Sequence, residues 1–268
     1  MTTPSLVMAR LVEAAAARRE PFADALRHHL LAHLVERVAR TAGGDGFVLR
    51  GGMLMRAWLA PEPYRATRDL DYIADFPFDR DVVHARFAAA LAPPHDPIAI
   101  ETRDLVAQPI WEGTEFPGVR LTVALGVGAP DQRVSIDVGF HDPLVPAPAT
   151  IAFGATRVRA VRPETQLAWK LHALAEIGAS FRPKDLADLT MIVARVPLVD
   201  ADLLPAIRAA FESRAFTLAQ ARATLAAPHF ATKTARTYFA PYRARVGELA
   251  DAIAAVRARL DPILEDAR

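Results

Sequence analysis

The hydrophobic period of this chain changes near residue 160, and no other feature limits its fold as much. Up to that point apolar residues recur at every second position in short runs, the spacing of half-buried β-strands. The runs are "GFVLR", "RDLDYIADF", "IAIETRDLV", "GVRLTVALGV" and "QRVSIDVGF", bounded for the most part by Gly, Pro or Asp. Helical spacing precedes and divides them. Residues 4–42 read as helices stopped by Gly43-Gly44, "MLMRAWLA" as a short helix ended by Pro61 and Pro63, and "DRDVVHARFAAALA" as an amphipathic helix before Pro93-Pro94. Beyond "VRPETQLAWKLHALAE" every apolar run is helical in period, through to the closing "GELADAIAAVRARLDPIL". The expected fold is therefore α+β: a mixed α/β domain over 1–160 whose sheet leans antiparallel, and a helical domain over 161–268. Residues 150–162, rich in Pro and small side chains, read as the junction between the two.

Apolar side chains fill 52% of the 268 positions, enough for a sizeable core. With 32 basic and 31 acidic residues, net charge points to neither nucleic acid nor a membrane surface. The balance is uneven, however: residues 161–268 hold 15 basic against 12 acidic side chains, a mild bias compatible with an RNA partner. Cysteine is absent, which excludes disulfides, thiolate metal sites and a catalytic thiol. No run approaches the ~20 apolar residues of a membrane span, and the N-terminus lacks the apolar core of a signal peptide. A cytoplasmic protein with no membrane partner is expected. His28, His29 and His33 share helical spacing, but no carboxylate motif accompanies them, so they read as solvated or packing residues.

Within "RATRDLDYI", Asp69 and Asp71 fall two residues apart on a strand and hence on one face. Like charges that close repel unless something positive sits between them. Upstream, Gly51-Gly52 turns a strand into a helix, where glycines let backbone N–H groups approach a ligand and the helix N-terminus favours phosphate. A phosphate cradle beside paired carboxylates suits Mg²⁺, a hard ion that bridges carboxylates to substrate phosphates. In "RVSIDVGF", Asp137 interrupts an apolar strand; Ser135, Asp137 and Gly139 share one face, and Val134, Ile136 and Val138 the other. Asp137 is expected opposite Asp69 and Asp71 as a third carboxylate, the alternative being a strand-end aspartate in water.

The order of strand, Gly-Gly, helix, D-x-D strand and later apolar-Asp-apolar strand resembles the nucleotidyltransferase fold of the DNA polymerase β superfamily. More narrowly, "LRGGMLMRAW" followed by "RATRDLDYI" resembles the AbiEii/AbiGii toxin family, to which the MenT toxins belong. "PETQLAWKLHAL" and "FRPKDLADL" are similar to that family's later motifs, a helix lysine followed by Arg/Lys-Asp-x-x-Asp, which fall here on Lys170, Lys184, Asp185 and Asp188. The likeness spans about residues 46–192, with Arg50 where the family commonly has Lys and Met53 where it has Thr.

This resemblance implies a polymerase β-like domain with a mixed sheet, and a Mg²⁺-dependent nucleotidyltransferase acting as the toxin of a toxin–antitoxin pair. It implies transfer from an NTP to an RNA 3′ end, in MenT-like members the tRNA acceptor stem, under restraint by a cognate antitoxin. Asp69, Asp71 and Asp137 are implied as ligands of two Mg²⁺ ions, with Gly51 and Gly52 on the triphosphate. Lys170 is implied on the nucleotide phosphates, in preference to the alternative of a snorkelling lysine on an apolar helix. Lys184 joins the nucleotide-binding set. Asp185 and Asp188 take a catalytic or architectural role, or else favour the helix N-terminus and bond an arginine. Arg65 either contacts the triphosphate or braces the D-x-D strand. Two further readings use the same residues: a small-molecule nucleotidyltransferase of the aminoglycoside type, and a non-catalytic nucleotide-binding module.

Overall fold

The computed structural model describes residues 3–62, 64–92 and 97–265. Pro63, Pro93 and Pro94, read above as helix breakers, lie outside the described residues. The chain divides into two compact units, Met1–Asp142 with Ala149–Ala160, and Pro143–Pro148 with Val161–Arg268.

The first unit opens with α1 (Pro4–Arg18) and α2 (Phe22–Arg40), followed by β1 (Phe47–Arg50) and α3 (Gly51–Leu59). Next come β2 (Asp69–Ala74), α4 (Arg80–Leu91), β3 (Ile98–Ile110), β4 (Gly118–Val127), β5 (Gln132–Gly139), β6 (Ala149–Phe153) and β7 (Thr156–Ala160). The strands form one seven-stranded sheet in the order β3-β4-β5-β2-β1-β7-β6. Neighbours run antiparallel except β2 with β5 and β1 with β7, which are parallel. The stretch read as a junction is thus partly sheet, because β6 and β7 pair as a hairpin turning at Gly154. Ile151, Phe153 and Val158 suit the strands, which pair mainly with each other, and β7 joins the sheet through Leu49 of β1 opposite Ala160.

One face of this sheet is core. Leu70 and Tyr72 of β2, Ile136 and Val138 of β5, and Val119 and Leu121 of β4 are all buried. α4 is set going by Asp79, whose carboxylate accepts from the N–H groups of Asp81 and Val82 at 2.9 and 3.0 Å. It seats Phe87 against Phe47 and Tyr72, with ring centroids 4.8 and 6.1 Å apart. Burying one such ring completely stabilises the unit by about 3 kcal/mol. The pleat then turns Asp69, Asp71 and Asp137 to the opposite face.

The second unit is helical: α5 (Pro163–Ile177), α6 (Pro183–Arg195), α7 (Asp200–Glu212), α8 (Leu218–Thr224), α9 (Lys233–Phe239), α10 (Arg243–Val246) and α11 (Leu249–Glu265). Leu167 and Leu171 of α5, Leu186 and Leu189 of α6, and Phe211 of α7 are fully buried. His172 stands edge-on to Phe211 and Phe216, a packing role. Among the described residues no helix is long and apolar enough to cross a membrane.

Candidate active site

Strand register assembles the site before any side chain is considered. Arg50 of β1 lies opposite Asp71 of β2, Asp71 lies beside Asp137 of β5, and Asp137 lies opposite Arg120 of β4. Residues paired across neighbouring strands project to the same side, so these four form one row across the sheet. Its charges run positive, negative, negative, positive. Asp69, two residues before Asp71, shares that face and is paired with Ser135. Asp69 and Asp71 are half-buried, while Asp137 is buried.

The glycine corner presses onto the acidic row. Gly51 has φ +72°, the left-handed region, and a Cβ there would collide with Oδ2 of Asp71. At Gly52 a Cβ would collide with Oγ1 of Thr67, so the position has no room for a side chain. α3 starts directly at these glycines and has no side-chain cap. Donors of its first turn therefore lie beside the carboxylates, where an anion would be held.

Arg120 escaped the sequence reading. Its Nε donates to Oδ1 of Asp137 at 2.7 Å and its Nη2 to Oδ2 at 2.6 Å, a two-pronged pair that uses both carboxylate oxygens. The bond to Asp137 pushes the Arg120 pKa above its ordinary value, and Asp69 and Asp71 add to the effect. Among the described residues no three acidic or imidazole side chains converge closely enough to cage a metal ion. Asp69 and Asp71 alone still match what Mg²⁺ takes from a protein, one or two carboxylates with substrate phosphates completing the shell.

Comparisons with known proteins bear on the family to which the chain belongs. A family described as "Nucleotidyl transferase AbiEii toxin, Type IV TA system" matches residues 33–263. The chain belongs to the AbiEii nucleotidyltransferase toxin family. JHP933 of Helicobacter pylori aligns over 90% of this chain and 91% of its own, at 13% identity and a TM-score of 0.48. A second H. pylori chain, described as a nucleotidyltransferase, aligns over 91% of this chain and 97% of its own, at 14% identity and a TM-score of 0.41. No curated protein matches.

In this AbiEii chain the approach to the D-x-D strand is anchored by a histidine. His28, read above as a packing or solvated residue, is buried on α2, and its Nε2 accepts from the backbone N–H of Thr67 at 3.1 Å. Its Nδ1 then carries the proton and donates to Oε1 of Glu20 at 2.7 Å, where Arg56 also donates at 3.1 Å. Burial and the neighbouring Arg56 push the His28 pKa below its ordinary value, against the pull of Glu20. The native state therefore binds fewer protons here than the unfolded chain. That stability is fully present above the ordinary histidine value of about 6.5 and is lost as pH falls below it. His229, lowered by burial, acts in the same sense. Denaturant titrations of wild type and His28→Gln between pH 8 and pH 5 should diverge, with the wild type losing more stability toward acid.

The remaining family positions of this enzyme fall in the helical unit. Lys170 is buried; its Nζ donates to Oδ1 of Asp185 at 3.1 Å and to Oδ2 of Asp188 at 2.5 Å. Arg182 also pairs with Asp185, at 2.9 Å. The ammonium expected to be a flexible contact for phosphate is thus held between two carboxylates. Lys184 is half-buried at the start of α6, and Arg65 in the first unit donates to the carbonyl of Ala66 at 3.3 Å.

Proposed function

We propose that this AbiEii-family toxin transfers a nucleotide from an NTP to the 3′ end of an RNA, a tRNA acceptor stem, and that a cognate antitoxin restrains it. The observation that carries the chemistry is the pairing of Asp71 with Asp137, with Asp69 on the same face and Gly51, the first residue of α3, pressed against Asp71. Asp69 and Asp71 would hold Mg²⁺, which supplies a charged platform for the triphosphate and offsets charge building on the leaving pyrophosphate. Gly51 and Gly52 bring backbone donors to the phosphates without side-chain obstruction. The RNA 3′ oxygen bonds to the α-phosphorus as the α–β phosphoanhydride bond breaks. Pyrophosphate leaves with the bonding electrons, and the hydroxyl proton passes to the carboxylate face.

Charge on the helical unit supports RNA over a small-molecule acceptor. Residues 213–247 contain no acidic side chain but carry Arg214, Arg222, Lys233, Arg236, Arg243 and Arg245. Lys233, Arg236, Arg243 and Arg245 are exposed, and Tyr238 among them is 57% exposed, a flat ring available for stacking on a base. An acceptor of drug size would call instead for an acidic pocket. The test is incubation of the protein with tRNA, Mg²⁺ and each of the four labelled NTPs in turn. Label at the RNA 3′ end with at least one NTP is expected. No label with any of them, together with growth arrest that survives Asp69→Ala, would overturn the reading.

A further inference from the structure

The acidic face already contains a cation, and it belongs to the protein. Asp137 is the carboxylate that a second divalent ion would need, yet both of its oxygens face Arg120 at 2.6–2.7 Å. Two-metal sites hold their ions about 3.5–4 Å apart, with shared carboxylates between them. Here the carboxylate that would belong to the second ion is engaged by a guanidinium whose planar fork fits a carboxylate edge and whose charge no ordinary pH removes. Register enforces the pairing, because β4 and β5 are antiparallel partners over eight successive residue pairs that include Arg120 and Asp137. Arg120 is also well placed to do more than hold Asp137. Its side chain is 45% exposed, against 11% for Asp137, and its Nη1 donates to no protein group among the described residues.

We propose that Arg120 takes the place of a second divalent ion, so that this enzyme works with one ion, held by Asp69, Asp71 and the triphosphate. The inference rests on the metal reading proposed above. A second ion would have to displace a charge-assisted, two-pronged pair. The outward Nη1 is left to bond a phosphate oxygen of the nucleotide, as a metal at that position otherwise would.

Electron paramagnetic resonance with Mn²⁺ and a non-transferable α,β-imido NTP, tried for each of the four bases, reads the count directly. Two Mn²⁺ ions at two-metal spacing are magnetically coupled, whereas one gives the simple hyperfine sextet. Wild type is expected to show the sextet and one protein-bound ion per chain after subtraction of a nucleotide-only control. Arg120→Met and Arg120→Gln, each checked for folding by circular dichroism, are expected to admit a second ion and show the coupled signal. A coupled pair in wild type overturns the proposal, and so does a lone ion in wild type that stays alone in both folded variants. Should both variants fail to fold, the wild-type spectrum still decides between one ion and two. No bound Mn²⁺ in wild type would remove the metal reading itself, an outcome distinct from either of the others.

Discussion

Asp69→Asn and Asp71→Asn are each expected to lower nucleotide transfer by about a thousandfold, some 4 kcal/mol of transition-state stabilisation at 1.36 kcal/mol per factor of ten. Each substitution keeps the shape of the side chain and removes the charge that a hard cation needs. Neither should destabilise the fold. The two carboxylates are half-buried on one strand face, and neutralising one relieves repulsion from its neighbour. Single-turnover transfer of labelled nucleotide to RNA, measured beside thermal melting, checks both halves of the expectation. Loss of activity with an unchanged or raised Tm fits a metal-binding role. A parallel loss of both would make these residues structural.

The second large effect concerns stability. Lys170→Met should destabilise the helical unit by about 3–5 kcal/mol, because it leaves Asp188, which is 0% exposed, without its ammonium partner. For a unit near one hundred residues that corresponds to a fall in Tm of roughly 12–20 °C. Asp185 suffers less, since Arg182 remains on it. Pairing the change with Asp188→Leu replaces a buried ion pair by apolar contact and should recover most of the lost stability. Calorimetric scans of the single and double variants test this. Transfer assays on the double variant add a second reading: activity that returns with the melting temperature makes both side chains architectural, whereas restored melting with activity still absent gives Lys170 or Asp188 a role in transfer.

Several parts of this molecule could be read from its residues. Alternation in "QRVSIDVGF" turns Asp137 away from Val134, Ile136 and Val138, and the β2–β5 register sets it beside Asp71. Alternation is a local property, which is why it was legible. Arg120 was harder, since its partner depends on how β4 folds back on β5. Closing that hairpin at Gly128 and Ala129 sets Arg120 opposite Asp137, so the signal was present in a turn rather than in a motif. His28 could not be read from periodicity, because its acceptor nitrogen serves an N–H group 39 residues away. The β6–β7 hairpin was missed for a related reason: its strands are only five residues each, and the β1 edge that β7 joins lies about a hundred residues upstream.

That last pairing has a bearing on how the chain is made. β1 sits inside the finished sheet, yet its parallel neighbour β7 is completed only at Ala160. A nascent chain emerging from the ribosome can close β1 onto β2 early, but one flank of β1 then stays open while the next eighty-odd residues are synthesised. An open strand edge invites pairing with other chains. Truncation before residue 156 would leave that edge permanently bare, so such fragments should be the aggregating products of premature termination or proteolysis, whereas full-length synthesis covers β1 with the same segment that leads into the helical unit.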